Sequence, residues 1–289
     1  MPHDVRVSSV DPRVTIALIG DVMPTSGNRC IPGRRLGEFL EDADYLVLNL
    51  EGVISKDRRV INGLRHAKSI LGFLSELFPV ERTVIGCANN HSGDCGWREF
   101  NRCYGLMQNR GWRVVGRRDQ PSVLLEDAVQ VTACTFWSNQ ACEFIASMEG
   151  RNGGFSADAH FNILFPHWGY EMELYPRPNQ IALAKELLGE WGLIIGHHSH
   201  CPQPITWYGD GCVAYSLGNF CCRSAREQFR YGLIVKLEVG PSRRGKWQIG
   251  RVSWKFTRQR TRGLRAVEIE VTDTCRLYPG GVQSGDLGS

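Results

Sequence analysis

The sequence predicts an α/β fold, in which a sheet is flanked by helices and polar groups gather beyond the strand ends. Two observations lead there. Short apolar runs alternate with segments whose apolar residues recur at three- and four-residue spacing. Five of those runs also stop at a polar cluster, the pattern of strands whose C-terminal ends carry a site.

The first run, VTIALI at 14–19, reads as a strand and stops at Gly20-Asp21. A helical pattern at 33–40 leads to a strand at 45–48, which stops at Asn49-Leu50-Glu51. A helix at 69–78 precedes a strand at 83–87 that runs into Ala88-Asn89-Asn90-His91, and 97–110 reads as a third helix. The strand at 161–165 ends in Pro166-His167-Trp168-Gly169. Pro176 and Pro178 mark the entry to a helix at 179–191. The strand at 193–195 runs into Gly196-His197-His198-Ser199-His200. After about residue 203 the pattern changes to successive strands at 212–217, 231–239, 247–256 and 264–271, with Gly and basic turns between them. These predict a second sheet of hairpins packed on the first. Residues 1–278 are expected to form one domain and 279–289 a disordered tail.

At 289 residues and 42% apolar content, the chain is long enough to bury a substantial core. The net charge of +4 is small, and the basic stretch at 243–265 alternates as a solvated strand face does, which argues against a nucleic-acid partner. No leader pattern opens the chain, and no apolar run approaches the roughly 18–20 residues of a membrane span. A cytoplasmic protein without a membrane partner is the expectation. Eleven cysteines at irregular spacing do not suggest a disulfide framework; they read as small buried apolar residues, with Cys201 and Cys221 nearest the motifs.

Only eight histidines occur, and three fill four positions at 197–200. Crowded imidazoles repel when protonated and are poorly solvated when buried, so a metal is the first reading. Asp21, Glu51, Asn90, His91, His167 and the triplet together offer carboxylate, amide and imidazole donors, a set that suits a divalent cation. Taken singly, each has a bland alternative as a turn residue, a helix cap or a core histidine.

The ordered series Gly20-Asp21-Val22-Met23, Asn49-Leu50-Glu51-Gly52, Ala88-Asn89-Asn90-His91 with Asp94 and Gly96, His167-Trp168-Gly169, Gly196-His197-His198-Ser199-His200 and Tyr215-Ser216-Leu217-Gly218-Asn219-Phe220 resembles the CapA-like family. That family, named for poly-γ-glutamate capsule synthesis, lies within the calcineurin-like metallophosphoesterase superfamily. The resemblance spans about residues 14 to 235. It implies a calcineurin-like four-layer αββα sandwich, two mixed β-sheets flanked by helices, with the site at the strand ends. Two-metal members typically open with Asp-x-His and bridge their ions with an aspartate, whereas this chain has Asp21-Val22-Met23 and Glu51. One divalent ion (Ca, Mg, Mn or Zn) held by Glu51, Asn90, His167 and His198, directly or through water, is therefore expected, with no organic cofactor.

A version without an export signal is similar to the lasso-peptide epimerase branch, which implies inversion of a peptide Cα, with a C-terminal residue one option. Two acid/base groups must then flank the carbon. His91 with Asp94 and Asp21 with His200 would fill those roles, while the cation stabilises enolate-like charge. His197 would stand behind the ligands. Trp168, Tyr170, His66, Phe220 and Arg223 are the expected substrate contacts, from an aromatic set that includes Trp97, Trp137 and Trp207. The alternatives are a metal-dependent hydrolase, cutting a phosphoester or glutamyl amide, and a CapA-like polymer- or peptide-binding protein.

Overall fold

The structure, a computed structural model, describes residues 3–24, 29–56, 63–140, 143–149, 154–222, 224, 226–263, 266–278 and 282–283. The chain opens with β1 (Val14–Val22), β2 (Arg29–Pro32), α1 (Arg34–Leu40) and β3 (Tyr45–Leu50). Next come α2 (Ile70–Leu77), β4 (Thr83–Gly86), α3 (Gly96–Gln108) and β5 (Arg113–Val115). The middle supplies β6 (Ser122–Leu125), β7 (Val129–Thr135), β8 (Phe161–His167), α4 (Pro178–Leu187), β9 (Leu193–Ile195), β10 (Ile205–Tyr208) and β11 (Gly211–Ala214). Then follow β12 (Asn219–Cys221), β13 (Tyr231–Pro241), β14 (Trp247–Arg262) and β15 (Ala266–Thr272).

The first sheet runs β2-β15-β14-β13-β1-β3-β4-β5, with β12 beside β1 and His3–Arg6 beside β14. The second runs β10-β11-β9-β8-β7-β6. Both are mixed: β1, β3, β4 and β5 pair in parallel while β13 is antiparallel to β1, and β7, β8, β9 and β11 pair in parallel between antiparallel β6 and β10.

Three apolar layers hold these sheets. Along β1, Ile16 and Leu18 face the second sheet, while Ala17 and Ile19 face the helices, as two-residue alternation requires. The inter-sheet layer joins Ile16, Leu18 and Val47 to Val131, Ile163, Phe165 and Ile195. Full burial of each such side chain contributes about 1.5–3 kcal/mol. Leu36 and Leu40 of α1, Leu71 and Leu74 of α2, and Phe100 and Met107 of α3 cover the outer face of the first sheet. Ala184 and Leu187 of α4 cover Leu164 and Ile194 of the second. The result is a four-layer αββα sandwich of two mixed sheets flanked by helices.

Of the strands at 212–217, 231–239, 247–256 and 264–271 expected to form the second sheet, only the first lies there, as β11; the other three do not. β13 pairs with β1 through Ile234↔Ile19 to Val239↔Val14, so β13, β14 and β15 extend the first sheet. The second sheet comes from the middle of the chain, including β6 and β7, which no motif marks. Alternation tells a strand that it has two faces, but not which edge it joins.

Val282–Gln283 of the expected tail pair antiparallel with Thr274–Cys275, and 279–281 and 284–289 lie outside the described residues. Cysteine chemistry also departs from expectation, because β2 and β12 bring Cys30 and Cys221 into a disulfide. Among the described residues Cys87, Cys103, Cys201, Cys212, Cys222 and Cys275 are free thiols, all buried. Among the described residues no helix is long and apolar enough to cross a membrane.

Candidate metal centre

The strand ends converge at one rim. Asp21 lies in β1, Glu51 follows β3, Asn90 and His91 follow β4, His167 closes β8, and the histidine triplet follows β9. Two close approaches make this possible. A Cβ at Gly20 would fall 2.0 Å from the Gly218 carbonyl oxygen, and Asn219 pairs with Asp21 across that contact. A Cβ at Gly196 would fall 2.1 Å from Trp168 Nε1, which donates to the Tyr215 carbonyl at 2.9 Å. The turn beyond it places His198 (φ 100) and His200 (φ 60) in the left-handed region, which non-glycine residues seldom adopt. The His198 amide donates to Asp21 Oδ2 at 3.1 Å and Ser199 Oγ to the Cys201 carbonyl at 2.8 Å, so the surrounding structure holds that conformation.

Asp21 is fully buried and accepts Asn49 Nδ2 at 2.7 Å, with His197 Nδ1 3.3 Å from Oδ1 and His200 Nδ1 3.6 Å from Oδ2. Glu51 is equally buried, yet neither of its oxygens has a hydrogen-bond partner among the described residues. Around it stand His91 Nε2 and His167 Nε2, each 3.9 Å from Oε1, and His200 Nδ1, 3.8 Å from Oε2. His167 Nε2 is 2.7 Å from Asn90 Oδ1, and its Nδ1 is 2.6 Å from His197 Nδ1. His198 Nδ1 is buried without a partner.

A carboxylate stripped of water and of donors is costly unless a cation or proton compensates it. Glu51, His167 and His198 offer ligand atoms within 4.8 Å of one another, as do Asp21, Glu51 and His200, and Asp21, His167 and His197. With its orphaned Glu51 oxygens and His198 nitrogen, the donor set fits a divalent cation.

The electrostatics follow from burial. Glu51 is pushed up to about 8 by desolvation, then by the Asp21 charge. Burial alone would raise Asp21, but hydrogen bonds with His197 and His200 hold it well below the usual carboxylate range. Desolvation, then neighbouring His200, takes His198 down to about 3, and burial with adjacent imidazoles lowers His167. Burial opposes protonation of His200 and His91 too, but it is outweighed. The Glu51 and Asp21 charges bring His200 up to about 9, while the Asp94 hydrogen bond and the Glu51 charge raise His91.

His91 and Asp94 pair at 2.6 Å (Nδ1 to Oδ2), and Asp94 also accepts the Leu64 amide at 2.7 Å. The His91 side chain is 24% exposed, against 0–6% for His167, His197 and His200, which makes it the accessible imidazole.

The expected substrate contacts fare differently. His66 is buried with its ring nitrogens 2.9 Å and 2.5 Å from the carbonyls of Pro24 and Glu51, because the Val53–Ile54/Arg65–His66 ladder turns it inward. It braces the Glu51 backbone. Trp168 and Phe220 are each 1% exposed and pack in the helix-covered layers. Tyr170 stays at the surface, and Arg223 lies outside the described residues.

Sequence reasoning missed the amide scaffold. Asn89 Nδ2 donates to the Leu50 carbonyl and Asn49 Oδ1, and its own Oδ1 accepts the amides of Gly52 and His91. Asn219 Oδ1 lies 3.0 Å from His200 Nδ1, and Asn139 Nδ2 lies 3.4 Å from His91 Nδ1. Asn49, Asn89 and Asn219 stand inside the motifs, where adjacency was a usable signal; Asn139 had none.

Sandwich and donor cluster together define an α/β protein with a candidate divalent-metal centre at its strand ends. The family described as "Bacterial capsule synthesis protein PGA_cap" matches over residues 15–133 and 145–224, and the chain belongs to it. Capsule biosynthesis protein CapA of Bacillus anthracis is 26% identical over 247 residues, covering 72% of this chain and 59% of that protein. PGA biosynthesis protein CapA of Bacillus subtilis (strain 168) is 23% identical over 230 residues, covering 72% of this chain and 60% of that protein. The chain thus spans about three-fifths of the length of these relatives. A solved Staphylococcus aureus structure, described as a candidate 5′-nucleotidase in complex with α-ketoglutarate, is 13% identical with a TM-score of 0.48, over 83% of this chain and 53% of the other.

Proposed function

We propose that this chain is a divalent-metal-dependent hydrolase that cleaves a peptide amide or a phosphoester. The observation that carries the reading is the buried, donorless Glu51 carboxylate ringed by imidazoles, with one accessible imidazole, His91, at its edge. Glu51, Asn90, His167 and His198 would hold the cation, and Asp21 and His200 form a further donor group with Glu51. Mixed oxygen and imidazole donors suit Mn, Fe or Zn better than Ca or Mg. A bound cation supplies polarisation of the scissile group and a water of lowered pKa.

The chain's own residues supply the proton chemistry. Asp94 against Nδ1 fixes the His91 tautomer and leaves Nε2 facing the centre, where it delivers a proton to the leaving group. The Leu64 amide holds Asp94 in turn. His200 is 5% exposed and lies among Asp21, Glu51 and Asn219, so it supports the carboxylates and does not meet substrate. One accessible acid/base group beside a cation suits hydrolysis.

The second reading is Cα epimerisation of a peptide residue. It is favoured by the two imidazole–carboxylate pairs, His91–Asp94 and His200–Asp21, on either side of Glu51. It requires His200 to be uncovered when substrate binds. Incubation of metal-loaded protein with peptides and phosphoesters in D2O or in 18O-labelled water separates the two. Hydrolysis gives fragments or phosphate carrying 18O; epimerisation leaves one deuterium at Cα and an intact chain. Deuterium without cleavage would overturn the hydrolase reading, and no product from either panel would sink both.

A further inference from the structure

Beside the metal centre lies a cavity of about 370 Å³ lined by Phe136, Trp137, Gly169, Tyr170, Gln180 and Leu183, together with Asn179. Its volume falls within the roughly 300–1,000 Å³ of typical ligand pockets. Six large apolar side chains are exposed among the described residues, and three of them line this cavity: Phe136 at 46%, Trp137 at 43% and Tyr170 at 38%. Such clustering marks a surface built to be covered.

One wall of the cavity adjoins the centre. The Trp137 ring meets the His198 imidazole edge-on, with centroids 5.1 Å apart. The same loop is tied to the ligand-bearing elements, since the Phe136 amide donates to the His167 carbonyl at 3.1 Å and the Asn139 amide to the Asn90 carbonyl at 2.9 Å. Gly169 keeps one wall flat: a Cβ there would fall 2.8 Å from Gln180 Nε2. The lining carries no charge. Arg177 stacks on the lining Tyr170 at 3.6 Å and is engaged by both Glu173 oxygens.

We infer that this cavity is the subsite for an uncharged aromatic side chain of a peptide substrate, the residue next to the bond presented to the metal centre. Aromatic walls favour an aromatic guest through area burial and ring geometry. A glutamyl side chain would bring in a carboxylate with no cation in the lining to pair it, only the amide groups of Asn179 and Gln180. The capsule-named relatives would suggest an acidic polymer, and this cavity argues for a different substrate. The inference rests on the peptide branch of the proposed function, but its test does not require turnover.

Binding of N-acetyl-tryptophan amide, N-acetyl-phenylalanine amide and N-acetyl-glutamate α-amide to the full chain, followed by saturation-transfer NMR, reads the subsite directly. The aromatic probes should bind about tenfold or more tighter than the glutamyl probe. Leu183→Arg, on a half-buried helix position, should abolish that preference, and thermal melting checks that the variant folds. Phe136→Ser, at an exposed position, gives the same reading should Leu183→Arg fail to fold. Equal binding of the three probes, or an unchanged preference in the folded variants, overturns the subsite. Aromatic binding without any cleavage sinks the hydrolase reading alone; cleavage indifferent to aromatic residues sinks the subsite alone.

Discussion

Glu51 and His91 divide the work of the centre, and each makes a separate prediction. In the metal-free protein the folded state holds protons on Glu51 up to about 8 and on His200 up to about 9, against 4.5 and 6.5 for the ordinary groups. Both groups are raised, so their contribution is present below the unfolded values and is lost as pH rises through the folded ones. Because the Glu51 charge is the main support of protonated His200, the pair retains about one proton between them and not two. The depressed His66, His167 and His198 oppose the trend near pH 6.5, so with chelator present the melting temperature should fall between about pH 7 and 8, by up to about 1.4 kcal/mol of stability per pH unit for that proton. Saturating Mn or Zn should remove the fall, because the cation binds the deprotonated donors. A flat profile in chelator would count against the buried-carboxylate account. For His91, replacement by Ala should lower turnover by about 10²–10⁴-fold, the range for general acid/base groups, and leave metal content unchanged. Because Asp94 and Glu51 raise His91, the wild-type rate should decline on the alkaline side as its acid form disappears. His91→Ala should lack that limb, and full retained activity would remove His91 from the mechanism.

At the scale of elements, the turn after β9 depends on a contact that tolerates no side chain. Gly196→Ala would drive a methyl between Trp168 Nε1 and the Tyr215 carbonyl, where overpacking costs about 1–3 kcal/mol. Because the same turn carries His197, His198 and His200, the variant should also bind Mn or Zn more weakly in a calorimetric titration. Gly105→Ala is the contrast. It lies within α3 with nothing within 4 Å of the added Cβ, and it should stabilise by roughly 0.5–1 kcal/mol. The strand-then-polar-cluster grammar located β1, β3, β4, β8 and β9, because an apolar run and its polar stop are both local. β7 stayed hidden because its VQVTACT sequence mixes apolar and polar residues and ends in no motif; Thr132 Oγ1 donates to the distant Gly154 carbonyl.

At the scale of the molecule, Cys30–Cys221 ties β2, an edge strand of the first sheet, to β12 beside Asp21, across 191 residues of chain. Reduction should lower stability by about 2–4 kcal/mol, and thiol titration of the unreduced, denatured chain should find at least two fewer thiols than after reduction. Equal counts would mean that the bond does not form. Cysteine spacing could not announce this pair, since the proximity of positions 30 and 221 is a product of sheet order. The sequence by itself determined the strand-helix alternation, the motif order and the types of donor at each strand end, because periodicity and turn chemistry act over a few residues. Tertiary structure alone decided that the C-terminal hairpins extend the first sheet, that His66, Trp168 and Phe220 turn inward, and that Phe136, Trp137 and Tyr170 open a cavity beside His198. Those outcomes depend on which distant edges pair and which faces pack, interactions that local pattern leaves open until the layers close.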